Sequence, residues 1–220
     1  SWIQLIPKCE IILCGDDCGV EEASHKYGVK HIRVIEKNEW GTPLLSSCFS
    51  IVQQFAHYDT LMYVNTDIIL FPTLLDAIKN IDAPQYIICG RRWDLDVREE
   101  IDFSESNWAD KLLDKARMEG RAHSLSGIDY FIFRRNTIKM PPFAVGRPGW
   151  DGWLIGEMRR RGIPVIDASE SSLVIHQNHD YSHSPFGRKK RIEGPEWAEN
   201  IRLAGGLKNM MTLRDADWIL

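Results

Sequence analysis

Short runs of β-branched, aliphatic and aromatic residues recur along this chain at 10–13, 31–34, 61–64, 86–89, 130–133, 165–166 and 173–175. Helical patterns lie between many of them. A chain that alternates strand and helix periods in this way buries its strands by laying helices over a sheet, so the order predicts an α/β fold. Val20–Tyr27 reads as a helix closed by Gly28, and Pro72 opens a short helix to 81 directly after a strand. The clearest helix follows Thr42, the expected N-cap, with Pro43 at its first position. It places Leu44, Leu45, Cys48, Ile51, Val52 and Phe55 on one face, which must pack on the sheet.

A chain of 220 residues organises one core. It holds no internal repeat, low-complexity tract or linker that would divide it, so a single domain spanning 1–220 is expected. Its least regular stretch, 181–195, contains Arg188-Lys189-Lys190-Arg191 beside Gly187 and Gly194 and reads as a mobile loop. The chain opens with what looks like the end of a helix, so a first strand of the α/β unit is expected to be missing. The net charge of −4, with acids and bases interspersed, argues against nucleic acid as the main partner. No apolar run approaches the roughly 18 residues of a membrane span, and Ser1-Trp2-Ile3-Gln4-Leu5 lacks a signal-peptide layout; a soluble protein without a transmembrane segment is expected. Five cysteines leave one unpaired under any scheme, and none forms a Cys-x-x-Cys pair. They read as reduced, with Cys14 and Cys89 ending β-rich runs as small core residues. Cys14 and Cys18 could share a metal, but no second cysteine pair supports that.

Four segments could carry chemistry. Leu61-Met62-Tyr63-Val64-Asn65-Thr66-Asp67 is an apolar strand ending in a polar triplet, and ligands in open α/β sheets bind beyond strand carboxyl ends. Asp67 there suits either a hard divalent cation or an ordinary turn. Gly90-Arg91-Arg92-Trp93-Asp94-Leu95-Asp96 follows the next strand. Its two arginines suit phosphate oxygens and Trp93 suits a sugar or base, with a surface turn of ion pairs as the alternative. His176-Gln177-Asn178-His179-Asp180-Tyr181-Ser182-His183 puts three of the seven histidines into one short stretch past a strand, which points to a metal or phosphate. Asp151, in Gly149-Trp150-Asp151-Gly152-Trp153, is placed as an N-cap, and a helix N-terminus also favours the ionised carboxylate that a general base needs. Trp150 and Trp153 read as core or as a sugar platform. No His-Glu-x-x-His and no strand-borne Gly-x-Gly-x-x-Gly is present, which disfavours a zinc hydrolase and a nicotinamide-dependent oxidoreductase.

Taken in order, these motifs resemble bacterial glycosyltransferase-like proteins related to the family 2 glycosyltransferases, with the GT-A fold. The matching segments are Ile12-Leu13-Cys14-Gly15-Asp16-Asp17, Gly41-Thr42-Pro43-Leu44-Leu45, Tyr63 through Leu70, Gly90 through Asp94, Ser126-Gly127-Ile128-Asp129-Tyr130-Phe131, Gly146 through Asp151, and His176 through His183. The resemblance implies one α/β/α sandwich around a mixed, mainly parallel sheet. It also implies a nucleotide-diphosphate sugar donor, a divalent metal (Mn2+ or Mg2+) on its phosphates, and inverting transfer to a glycan, lipid-linked or other hydroxyl acceptor. A cytoplasmic protein, peripheral to a membrane at most, would follow. In that scheme Asp67 is the last residue of the metal-binding triplet, and His176 or His179 completes the metal site. Asp17, Asn65, Arg91, Arg92 and Trp93 bind donor, Trp150 and Trp153 face the acceptor, and Asp151 is the acceptor-side base. Asn65 stands where the family has the triplet's first aspartate, so the metal site carries one charge fewer. A sugar- or nucleotide-binding module of the same fold, without turnover, is the competing expectation.

Overall fold

The computed structural model describes residues 1–79, 81–179 and 193–220. Strands β1 (Ile12–Cys14) and β2 (Lys30–Ile32) pair in parallel as a small separate sheet, joined by α1 (Val20–Tyr27), which ends at the left-handed Gly28 as expected. Among the described residues the central sheet has eight strands: β3 (Thr60–Val64), β4 (Ile68–Ile69), β5 (Ile87–Leu95), β6 (Arg121–Ala122), β7 (Ile128–Arg134), β8 (Val165–Asp167), β9 (Val174–Gln177) and β10 (Trp218–Ile219). Its main order is β10-β8-β5-β7-β3, with β6 and β9 beside the second half of β5 and β4 on β9. The fold is therefore α/β with a mixed sheet. The expectation of a mainly parallel sheet needs correction, because β7 runs antiparallel to both β3 and β5, and the short β4 and β6 are also antiparallel to their partners. Strand direction depends on the path of the connections, which residue periodicity does not record.

Successive residues of the central strands point to opposite faces. Ile87, Cys89, Phe131 and Phe133 pack with α2 (Leu45–Phe55) and α5 (Trp150–Arg160), while Ile88, Tyr130 and Ile132 pack with Leu5 and with Leu74 of α3 (Thr73–Ile78). Leu154, Ile155 and Met158 of α5 are fully buried, each contributing about 1.5–3 kcal/mol of transfer free energy. Two further helices, α4 (Trp108–Glu119) and α6 (Pro195–Leu203), add to those that the sequence patterns predict. The first of them seats Leu112 and Ala116 against Leu95 and Ile175. Among the described residues no helix is long and apolar enough to cross a membrane.

Two local expectations change, at the start of α2 and along β5. The start of α2 is capped by Leu44, because Pro43 and Leu44 are held extended by bridges to Lys37 and Ala144; Leu45 and Phe49 face the core, and Phe55 is 63 % exposed. The chain opens with a 3-10 turn, Trp2–Gln4, and Trp2 Nε1 donates to the Ile68 carbonyl at 2.8 Å. Finally, β5 does not stop at Cys89. It passes a register shift between Cys89 and Arg91 and continues to Leu95, so Arg91 to Asp94 lie within the strand. At that shift the backbone of Gly90 comes so close to Tyr130 that a Cβ would stand 2.3 Å from the phenol oxygen.

Candidate functional site

The second half of β5 gathers the polar residues. It exchanges its neighbours β7 and β8 for β6 and β9, so that β9 lies between β5 and β4. Register then dictates who meets whom. His176 on β9 is opposite Asp94 on β5 and opposite Ile68 on β4, the residue after Asp67. Asp67 follows the end of β3 by three residues, and its carbonyl accepts from the Gln177 amide at 3.0 Å, which fixes it beside His176. His179 follows β9 by two residues, and the intervening Asn178 backbone amide donates to the Leu95 carbonyl at 3.0 Å.

The ligand atoms of Asp67, His176 and His179 all lie within 4.8 Å of one another. Asp67 Oδ2 is 3.3 Å from the Nε2 atom of each histidine. Its other oxygen, Oδ1, is buried with no hydrogen-bond partner among the described residues. Burial pushes the Asp67 carboxyl up, but the contacts from His176 and then His179 outweigh it, and its pKa lies below the ordinary carboxylate value. Two imidazoles, one ionised carboxylate and an orphaned carboxylate oxygen are a donor set that fits a divalent transition cation.

A chain of polar contacts extends from this triad across the sheet. His176 Nδ1 lies 3.1 Å from Asp94 Oδ1, Arg92 Nε is 3.0 Å from the same oxygen, and Arg92 Nη1 donates to Asp129 Oδ2 at 2.9 Å. The Asn65 amide donates to Asp129 Oδ1 at 2.6 Å, and the Tyr63 hydroxyl donates to Asn65 Oδ1 at 3.0 Å. Asn65 is thus tied to Tyr63 and Asp129, while Asp67 alone of the triplet's two outer positions joins the histidines. Burial pushes the Tyr63 phenol up, and nearby acidic groups, Asp129, Asp67 and Asp151 among them, push the same way.

Asp151 sits at the second position of α5, not at its N-cap. The cap is Gly149, whose φ of 120° suits a glycine, and Asp151 Oδ1 accepts from the Gly152 amide at 2.9 Å. Burial raises the Asp151 pKa above the ordinary value, backbone amides offset part of this, and the charge of Asp129 raises it further. Trp150 and Trp153 are both core residues: Trp150 meets Tyr63 edge-on with centroids 5.0 Å apart, and Trp153 packs on Phe143 at 5.2 Å. Arg91 is half-buried, with its amide donating to Ser169 Oγ at 2.8 Å, and Trp93 is half-buried opposite Ile175. Asp17 is exposed beyond β1, outside this network. All five cysteines are free, and only Cys89 is fully buried. The basic run 188–191 and His183 lie outside the described residues.

Sequence reasoning gave no role to Asp94, Asp129 or Tyr63. A signal was present, since Asp129 is flanked by Ile128, Tyr130 and Phe131, and a carboxylate in so apolar a run needs a partner once the strand is buried. The chain has no match among family models, curated proteins or solved structures.

Proposed function

We propose that this chain is a metal-dependent glycosyltransferase that moves a sugar from a nucleotide-diphosphate donor to an acceptor hydroxyl, with inversion at the anomeric carbon. The observation that carries the reading is the convergence of Asp67, His176 and His179 past the end of β3, with one buried Asp67 oxygen left over. A divalent cation held there would offset the charge of the donor diphosphate and ease its departure. The two imidazoles favour Mn2+ over Mg2+, which prefers oxygen ligands. Asp151 is the proposed base for the acceptor hydroxyl: its raised pKa makes it a stronger proton acceptor than an exposed aspartate. Asp17, Arg91 and Trp93 remain the proposed donor contacts, and a glycan, lipid-linked or other hydroxyl compound the acceptor. Such a donor sets the proposed location, the cytoplasm or the cytoplasmic face of a membrane.

A second reading, a sugar- or nucleotide-binding module without turnover, is favoured by Asn65. Its neutral amide occupies the triplet's first position and is already bonded to Asp129 and Tyr63. Calorimetry with nucleoside diphosphates, in Mn2+ and in chelator, tests the shared premise. Metal should tighten binding in the wild type and have no effect in Asp67→Ala; equal affinity in both conditions removes the basis for the site. Donor turnover then separates transferase from module.

A further inference from the structure

Behind His176 stands a carboxylate with no role in the reading above. Asp94 and His176 are register partners on β5 and β9, and Asp94 Oδ1 lies 3.1 Å from Nδ1, while Nε2 of the same ring lies 3.3 Å from Asp67. His176 is only 3 % exposed, so solvent is poorly placed to supply the partner its Nδ1 needs. Asp94 is itself held, with Arg92 Nε at 3.0 Å and the same guanidinium donating onward to Asp129. A histidine that binds a cation through Nε2 carries its proton on Nδ1, and an acceptor for that proton fixes both the tautomer and the ring orientation.

We propose that Asp94 is the positioning residue of this site. It accepts the Nδ1 proton of His176 and thereby keeps Nε2 unprotonated and aimed at Asp67, while Arg92 and Asp129 hold the carboxylate in place. The inference rests on the reading of Asp67, His176 and His179 as a divalent-cation site. The present Nδ1 to Oδ1 contact is within hydrogen-bond distance but off the N–H axis, so the proposal includes a small rotation of the ring as Nε2 engages the cation. It also gives Arg92 a different task from gripping phosphate: the guanidinium balances two buried or half-buried carboxylates, Asp94 and Asp129.

The test is calorimetric titration of Mn2+ alone into wild type, Asp94→Ala, Asp94→Asn and Asp67→Ala, with the metal-free melting temperature of each. Asp94→Ala should weaken Mn2+ binding about 10–100-fold, the range for losing such an outer partner. Asp94→Asn keeps an acceptor oxygen and should recover most of that loss. A purely structural role predicts a lower melting temperature in Asp94→Ala with unchanged Mn2+ affinity, and that result overturns the proposal. If wild type binds Mn2+ no better than Asp67→Ala, the cation site itself fails and the proposal with it, so the two failures are told apart. Should Asp94→Ala not fold, 15N-histidine NMR of the Zn2+-loaded wild type decides. The expected signature is a slowly exchanging proton on His176 Nδ1, and metal on Nδ1 would refute the assignment.

Discussion

Asp151, the proposed base, carries a cost in stability that can be measured. Its carboxyl pKa is raised by burial above the ordinary value of about 3.9. A raised folded-state pKa means that the stability associated with this group is complete below the unfolded value and is lost as pH rises through the folded one. At neutral pH the ionised form therefore costs folding free energy. Asp151→Asn keeps an oxygen for the Gly152 amide, so the variant should melt higher than wild type at pH 7, and the gap should close on acidification. The same change should reduce turnover on the order of 10²-fold or more, with donor affinity retained. Melting curves at several pH values, together with transfer rates, check both halves. A wild-type rate under conditions where chemistry limits would mean that the base lies elsewhere.

At the scale of elements, α6 anchors the loop that leads into Asp151. Glu196 Oε2 accepts from Arg147 Nε and Nη2 at 2.9 and 2.6 Å, and Glu196 Oε1 accepts from the Asn38 amide at 2.8 Å. One turn on, Asn200 accepts from the Ala144 amide and donates to the Arg147 carbonyl. Gly149 and α5 follow directly. Burial pushes the Glu196 carboxyl up, but Asn38, Thr42 and Arg147 outweigh it, leaving its pKa below the ordinary value. A lowered carboxyl pKa contributes stability that is present above the unfolded value, about 4.3, and is lost as pH falls through the folded one. Glu196→Gln should accordingly flatten the acid limb of the stability curve below about pH 4.3. Glu196→Ala strands Arg147, whose side chain is 16 % exposed, and should cost about 3–5 kcal/mol, read by urea unfolding.

For the whole molecule, the site joins pieces distant in sequence. Asp67 precedes β4, His176 belongs to β9, and the two strands meet through the antiparallel pairings of Ile68 with His176 and of Ile69 with Ile175. A ligand that bridges them should stabilise the fold as a unit. With Mn2+ and a nucleoside diphosphate at about 100 times Kd, the gain is about 2.7 kcal/mol, or roughly 5–10 °C in Tm for a domain of this size. Thermal melts of wild type should show that rise, and Asp67→Ala should lack the part that depends on Mn2+. An equal rise in both would place the cation elsewhere.

The alternation of apolar runs was enough to read an α/β fold, because burial of strands under helices imposes periods that are local in sequence. The end of α1 at Gly28, the strand at 61–64 and the candidacy of Asp67, His176 and His179 as cation ligands were legible for the same reason: each depends on a residue type at a strand or helix end. Strand direction, the continuation of β5 through Gly90 to Leu95, and the start of α2 at Leu45 were not, since they are decided by what each backbone group bonds to across the sheet. So were the burial of both Trp150 and Trp153 and the clasp of Glu196 on Arg147. The sequence by itself marked Asp67 and the histidines past the last predicted strand as candidate cation ligands; only the tertiary structure brought Asp67, His176 and His179 together and decided that Asp94 stands behind His176. That neighbour is chosen by the register of β5 against β9, a pairing between segments some 80 residues apart that no local pattern encodes.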